Sequence, residues 1–190
     1  MESQYWIPTV TRLGQTMDIY SSMMARGIIF INAPIDQRIA GLINTSLLHI
    51  HETADIVQPR LYLNTKRGDV ISAMSVVDVM RFLKVPIETV GFGEIGVAAA
   101  LILAAGTKGH RRAAAHCNLG LRIGIDNLAF EAVQSEQAKA AEQAKVLKKA
   151  MDLFAQFTKQ NINTIRTLTN SESYIDAEEA KELGFIDEIV

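Results

Sequence analysis

One stretch of the chain joins a short apolar run to a helix of small residues, and it reads Gly93-Glu94-Ile95-Gly96-Val97-Ala98-Ala99-Ala100-Leu101-Ile102-Leu103-Ala104-Ala105-Gly106. This pattern predicts a strand, a tight turn and then a closely packed helix. In serine hydrolases a turn of this kind presents the nucleophilic hydroxyl at the N-terminus of the helix. Here that point is Val97, which has no hydroxyl. The stretch therefore predicts the architecture of an enzyme without its chemistry.

Apolar runs of strand length alternate with segments of helical periodicity on either side of this stretch. The runs cover 27–32, 60–64 and 87–92, and helical spacing covers 38–51 and 70–82. Strands and helices in this alternation predict an α/β fold in which helices cross over between parallel strands.

Composition limits the kind of protein. A chain of 190 residues with 48% hydrophobic and 21% charged residues predicts one domain with a sizeable core. Its net charge of −2 gives no general attraction to nucleic acid or to an anionic membrane. The single cysteine, Cys117, cannot form an internal disulfide, which favours a reducing compartment. With no signal-peptide pattern and no membrane-spanning run, we expect a cytoplasmic protein, or one of a plastid-type stroma if a transit peptide has been removed.

Four short motifs resemble, in order and spacing, those of one family. They read Trp6-Ile7-Pro8-Thr9-Val10, Met17-Asp18-Ile19-Tyr20-Ser21, Leu61-Tyr62-Leu63-Asn64 and Ala177-Glu178-Glu179-Ala180-Lys181-Glu182-Leu183-Gly184-Phe185-Ile186-Asp187. The family is ClpP, the barrel-forming serine peptidases of ATP-dependent Clp proteases. The resemblance implies a ClpP/crotonase-like fold: a parallel sheet, a smaller perpendicular sheet, flanking helices and a projecting handle helix. It further implies a single domain over 1–190, with an N-terminal axial segment at 1–15 and a handle region at 126–160.

The same resemblance places the catalytic triad on residues that cannot perform its chemistry. The nucleophilic serine falls on Val97, and the histidine falls on Arg122, or on Ile123 if one residue is inserted. Neither an arginine nor an isoleucine accepts a proton at neutral pH. The aspartate falls on Glu172, which has no imidazole to orient. If Arg122 and Glu172 keep the family's geometry, they predict a buried salt bridge in place of the triad's hydrogen bonds.

The oxyanion site is altered as well. The family's Ser-Pro-Gly-Gly loop corresponds to Thr65-Lys66-Arg67-Gly68, and the loss of a proline and a glycine changes the dihedral angles that the loop can reach. Gly68 and Ala98, with their backbone N–H donors, are the residual oxyanion positions. Three parts of one mechanism therefore differ together, as in the inactive homologues called ClpR. This pattern predicts a non-proteolytic subunit without a cofactor, a structural or regulatory component of a mixed heptameric ring with active ClpP subunits. Whether the chain forms rings alone or only with other subunits stays open.

The resemblance also implies two contact surfaces. A cleft that docks a Clp/Hsp100 AAA+ ATPase falls on Leu48, Arg60, Tyr62, Phe82, Val90, Phe92 and Arg112. Because the two arginines stand where the family usually has aromatic residues, we expect a polar wall that alters docking. The contact between rings falls on an apolar stripe at helical spacing within 130–158, formed by Leu147, Met151, Phe154 and Phe157.

Two alternatives remain. The first is an active serine peptidase with a displaced nucleophile, Ser72 or Ser135, paired with His110 or His116. The second is an acyl-CoA enzyme of the crotonase superfamily, which shares the fold and mainly needs an oxyanion hole. The chain is short for that superfamily, and the end-to-end resemblance to ClpP opposes it.

Overall fold

A computed structural model describes residues 7–12, 14–53, 58–124, 136–172 and 174–190. The chain enters through an antiparallel hairpin of β1 (Thr9–Arg12) and β2 (Gln15–Asp18), followed by the short helix α1 (Ile19–Met24). The Asp18 side chain begins α1 by accepting a hydrogen bond from the Ser21 backbone N–H at 2.9 Å.

The main sheet has five parallel strands in the order β10-β7-β5-β4-β3. They are β3 (Ile28–Ile31), β4 (Arg60–Leu63), β5 (Glu88–Gly91), β7 (Arg111–Ala113) and β10 (Glu188–Ile189). A smaller sheet has the order β6-β8-β9, with strands β6 (Glu94–Ile95), β8 (Asn118–Gly120) and β9 (Tyr174–Ile175). In this sheet β8 lies in the middle, parallel to β6 and antiparallel to β9.

Helices connect and flank these sheets. They are α2 (Gln37–Glu52), α3 (Val70–Leu83), α4 (Val97–Ala104), α5 (Glu136–Thr158), α6 (Ile162–Asn170) and α7 (Ala177–Glu182). Aspartates at 36, 69 and 176 begin α2, α3 and α7, each by accepting a backbone hydrogen bond in the first turn. These caps satisfy N–H groups that a helix start otherwise leaves without a partner.

The core lies on one face of the main sheet. Leu61 and Leu63 of β4 are fully buried and belong to one cluster with side chains of α2, α3 and α4. Every residue of α4 is buried, which explains its run of small and aliphatic residues. On the other face of the sheet Tyr62 and Arg112 are half-buried, whereas Val90 between them is buried.

The predicted α/β class is confirmed, with a parallel sheet, a smaller sheet and flanking helices. The three predicted strands and two predicted helices all form, with ends within one or two residues of the expected positions. In the handle region, α5 occupies 136–158, while 126–135 lie outside the described residues. Side chains at 137–141 are exposed, whereas Val146, Ala150 and Phe154 are buried, so α5 packs on the core only through its C-terminal half.

Candidate functional site

The turn between β6 and α4 forms the centre of the site. Gly93 has a φ of +62°, a left-handed conformation that favours glycine. Gly96 is the N-cap of α4, and its N–H donates to the Thr65 carbonyl at 2.9 Å. A Cβ at Gly96 would collide with the Lys66 carbonyl oxygen. The predicted tight turn therefore exists, and it lies directly against loop 65–68.

Val97 is the first residue of α4, and only 4% of it is exposed. Its isopropyl group belongs to the core cluster, as does the methyl group of Ala98. A nucleophile must carry a reactive group that its substrate can reach, whereas the side chain at position 97 is a buried hydrocarbon.

The structure brings together the two residues that were predicted as oxyanion positions. A Cβ added to Gly68 would lie 3.0 Å from the Ala98 Cβ and 2.8 Å from the Ile35 Cβ. Only glycine fits such a close approach between the loop and α4. Backbone bonds hold the loop there, because Ile35 N–H donates to the Arg67 carbonyl at 3.1 Å and Asp69 N–H donates to the Ile35 carbonyl at 2.9 Å.

Arg122 and Glu172 form the predicted ion pair, with 3.3 Å between Nη1 and Oε1. The interpretation of this pair as buried is wrong, since 58% of the Arg122 side chain and 81% of the Glu172 side chain are exposed. An ion pair in water is a weak contact, because solvent screens both charges. Ile123, the alternative position for the histidine, is half-buried, and its backbone N–H donates to Thr169 of α6 at 3.0 Å.

A third set of contacts at the site was missed by sequence reasoning. Lys66 Nζ forms an ion pair with the Glu94 carboxylate, and the Tyr174 hydroxyl donates a hydrogen bond to the same carboxylate. The Lys66 hydrogen bond and then the Tyr174 hydrogen bond lower the pKa of Glu94. The hydrogen bond to Glu94 raises the pKa of Tyr174 and of Lys66. The three residues lie far apart in sequence, and no periodicity relates them.

The displaced nucleophiles of the alternative peptidase do not form a triad among the described residues. Ser72 is buried in α3, where its backbone N–H donates to Asp69 at 2.7 Å. The His110 ring is hydrogen-bonded to Gln58 at 3.2 Å, and His116 is exposed. Ser135 lies outside the described residues.

The residues assigned to the docking cleft lie mainly on the half-buried face of the main sheet. Tyr62, Val90 and Arg112 are adjacent in register on β4, β5 and β7. The Phe92 ring packs edge-on against the Tyr62 ring, with 5.5 Å between ring centroids. Leu48 on α2 and Phe82 on α3 are exposed.

The two arginines of this surface are both partnered. Arg112 forms ion pairs with Glu88 at 3.0 Å and Glu188 at 2.8 Å, and Arg60 donates to the Arg26 carbonyl at 3.3 Å. Arg112 is therefore held between carboxylates of β5 and β10, and its charge is compensated.

The stripe assigned to the contact between rings needs one correction. Phe154 is fully buried and packs on Phe185 within the chain's own core, with 5.5 Å between ring centroids. Its side chain is therefore not available to a second subunit. Leu147, Met151 and Phe157 are half-buried, and the Arg81 guanidinium lies 5.0 Å from the centroid of the Phe157 ring.

Comparison with known proteins agrees with the α/β fold and identifies the family. The family model described as Clp protease matches residues 11–190. A protein of Rhodococcus jostii (strain RHA1), named ATP-dependent Clp protease proteolytic subunit 4, is 33% identical over 99% of this chain and 98% of its own length. The chain belongs to the Clp protease family, which comprises serine peptidase subunits that assemble into oligomeric rings with Clp ATPases. No helix within the described part of the chain is long and apolar enough to cross a membrane.

Proposed function

We propose that this chain is a non-proteolytic, ClpR-type subunit of an ATP-dependent Clp protease. It takes a place in a mixed heptameric ring with active ClpP subunits, and it closes the wall of the chamber without adding an active site. It needs no cofactor. Its proposed location is the cytoplasm, or the stroma of a plastid-type organelle.

The observation that carries the proposal is Val97. It occupies the turn at the head of α4, where the family resemblance places the serine, and its side chain is buried hydrocarbon. Peptide hydrolysis by a serine peptidase requires a hydroxyl at this position and a base that accepts its proton. At the position for that base, Arg122 is a permanently charged guanidinium paired with Glu172. The site thus lacks a nucleophile and a proton acceptor at the two positions concerned.

The proposed partners are active ClpP-type subunits and a Clp/Hsp100 AAA+ ATPase. The docking surface keeps the contact between the Tyr62 and Phe92 rings and an exposed aromatic ring at Phe82. Arg112 lies between Glu88 and Glu188 and forms an ion pair with each. An apolar loop that docks here therefore contacts neutralised ion pairs and not an isolated positive charge. Removing water from these ion pairs costs less free energy than removing it from an unpaired guanidinium. It costs more than removing water from an aromatic ring. We propose that docking persists here with a changed preference.

One experiment tests the loss of chemistry. The purified chain is incubated with a fluorescent fluorophosphonate, alongside an active ClpP-type subunit as a positive control. We expect no labelled serine in the chain and stoichiometric labelling in the control. Labelling of Ser72 or Ser135 would support the displaced-nucleophile peptidase and overturn the proposal.

A second experiment tests the subunit role. The chain and an active ClpP-type subunit are coexpressed with different affinity tags, purified through both tags in sequence and weighed by native mass spectrometry. We expect one assembly that contains both chains. An assembly that excludes the chain would contradict the mixed ring, and acyl-CoA hydrolysis or hydration by an isolated trimer would favour the crotonase alternative.

A further inference from the structure

The outer face of the main sheet carries side chains that stand in one line across four strands. Glu188 of β10 lies opposite Arg112 of β7, which in turn lies opposite Val90 of β5. Val90 lies opposite Tyr62 of β4. Partners in register share one face of a sheet, so these side chains form one continuous surface. Because neighbouring strands are about 4.8 Å apart, the line from Glu188 to Tyr62 is about 14 Å long.

The two ends of this line differ in their chemistry. At one end the Tyr62 ring packs edge-on against the Phe92 ring, and both residues are half-buried. This end therefore presents aromatic surface. At the other end Arg112 forms ion pairs with Glu88 at 3.0 Å and with Glu188 at 2.8 Å. We call these three charged residues the ionic row.

The ionic row carries more negative than positive charge. Two carboxylates flank one guanidinium, so the net charge of the row is −1 at neutral pH. Arg60 lies opposite Glu88 in register, but its side chain donates to the Arg26 carbonyl at 3.3 Å. Among the described residues Arg60 forms no ion pair with Glu88. The arginine at position 112 therefore leaves this end of the surface acidic and not basic.

The surplus negative charge is accessible at Glu188. Its side chain is 54% exposed, against 14% for Glu88, and β10 is an edge strand of the main sheet. The Glu188 Oε2 accepts a hydrogen bond from Arg112 Nε at 2.8 Å. The other oxygen, Oε1, has no hydrogen-bond partner within the part of the chain that the structure describes. An exposed carboxylate oxygen of this kind accepts hydrogen bonds from the ammonium group of a lysine or the guanidinium group of an arginine.

We propose that the ionic row makes this surface select a docking segment that carries a basic side chain near its apolar residues. The inference rests on the proposed function, which assigns docking of a Clp ATPase to this surface. An aliphatic side chain of the segment contacts the rings of Tyr62 and Phe92, and a lysine or arginine of the segment donates to Glu188. An extended segment rises about 3.3 Å per residue, so about four residues cover the distance between the two contacts. A glutamate in place of the basic residue is repelled by the surplus carboxylate.

The binding of two synthetic peptides tests this selection. Both carry a fluorescein label and the aliphatic core Leu-Val-Leu in a glycine and serine background, followed at the spacing above by lysine in one peptide and by glutamate in the other. Fluorescence polarisation measures the dissociation constant of each peptide for the purified full chain. We expect the lysine peptide to bind roughly fivefold more tightly, because an exposed ion pair adds a little affinity and a like-charge contact removes a similar amount. Raising the salt concentration to about 1 M should bring the two dissociation constants together.

Two substitutions in the ionic row should shift the ratio of the two dissociation constants in opposite directions. Glu188→Gln keeps the shape of the side chain and removes the surplus charge, so we expect the preference for lysine to fall to about one. Arg112→Gln leaves two carboxylates without their guanidinium, so we expect the preference to rise to about tenfold. Damage to the fold would weaken the binding of both peptides alike and would not change the ratio. Glu142→Gln, which removes the exposed ion pair of Glu142 with Lys145 on α5, is the matched control and should keep the wild-type ratio.

The outcomes separate this inference from the proposed function. If the wild type binds both peptides equally, or binds the glutamate peptide more tightly, the selection for a basic residue is wrong while apolar docking stands. An unchanged ratio in Glu188→Gln would overturn the role of the ionic row. If neither peptide binds the wild type, both the selection and the assignment of docking to this surface are wrong.

Discussion

Arg111 is the most heavily bonded side chain of the described residues. It is buried, and its guanidinium donates to both carboxylate oxygens of Asp187, at 2.9 Å from Nε and 2.6 Å from Nη2. Its Nη1 donates to the carbonyls of Gly184 at 2.8 Å and Phe157 at 3.2 Å. One residue of β7 therefore ties the C-terminal segment and the end of α5 to the main sheet.

Removing this guanidinium should cost much of the stability. Arg111→Met fills similar space but leaves Asp187 as a partly buried carboxylate without its charge partner. We expect the free energy of unfolding to fall by about 3 kcal/mol, measured by urea denaturation. Arg166→Met, which removes an exposed arginine bonded to Asn163 within α6, is the control and should change it by less than about 0.5 kcal/mol. Equal effects of the two substitutions would mean that the buried network is not stabilising.

The same pair predicts how stability depends on pH. Partial burial raises the pKa of Asp187, but hydrogen bonds from the Arg111 side chain and backbone, its charge, and the Gly109 N–H outweigh burial and hold the pKa below its ordinary value of 3.8. A carboxyl whose pKa is lowered by folding stabilises the folded state above its unfolded pKa, and this contribution is lost as the pH falls through the folded pKa.

We therefore expect the free energy of unfolding of the wild type to fall more steeply below about pH 4 than that of Asp187→Asn. The variant is less stable at neutral pH, but its side chain at position 187 has no charge that acid could remove. Urea titrations at a series of pH values would show the two curves converging in acid. Parallel curves would show that other carboxylates account for the acid sensitivity.

At the scale of elements, two glycines at helices contrast in what surrounds them. Gly96 at the head of α4 has the Lys66 carbonyl where a Cβ would be, whereas Gly41 inside α2 has nothing within 4 Å of that point. Gly41→Ala should stabilise by about 0.5–1 kcal/mol, because alanine favours a helix over glycine.

Gly96→Ala should destabilise by at least about 1–3 kcal/mol, because the loop or the helix must move to admit the methyl group. Thermal unfolding of both variants measures the difference. A neutral Gly96→Ala would show that loop 65–68 is free to withdraw from the head of α4.

At the scale of the whole molecule, one exposed aromatic ring tests the predicted docking surface. Phe82 on α3 is 72% exposed. Phe82→Ser should leave the free energy of unfolding within about 0.5 kcal/mol of the wild type and weaken retention of a Clp ATPase by mixed rings. Leu42→Ser, which alters another exposed apolar side chain on α2, is the control for general hydrophobicity. Pull-down on the immobilised ATPase would contradict the assignment if both variants bound like the wild type.

Met151 tests the predicted contact between rings. It is half-buried on α5, and in the predicted contact Met151→Asp would place an unpaired carboxylate where water is excluded, at a cost on the order of several kcal/mol. We expect the double-ring species to disappear in analytical ultracentrifugation of the variant mixed with an active partner. The melting temperature of the variant is the control: if it stays close to that of the wild type, the loss of double rings is not caused by unfolding. Intact double rings would show that this part of α5 does not contact the second ring.

The sequence by itself determined the alternation of strands and helices, because the spacing of apolar residues and the aspartates that cap helices depend only on residues close together in the chain. It also determined that Val97 carries no hydroxyl, which is a property of the residue type alone. The tertiary structure decided which distant side chains meet. Glu94 and Tyr174 share one face of the small sheet, where the register places Asn118 opposite Glu94 and Gly120 opposite Tyr174. Lys66, from a loop outside this sheet, joins them through its ion pair with Glu94. Arg122 and Glu172 are exposed, and Phe154 is buried, because burial depends on the packing of whole elements and not on the spacing of residues within one.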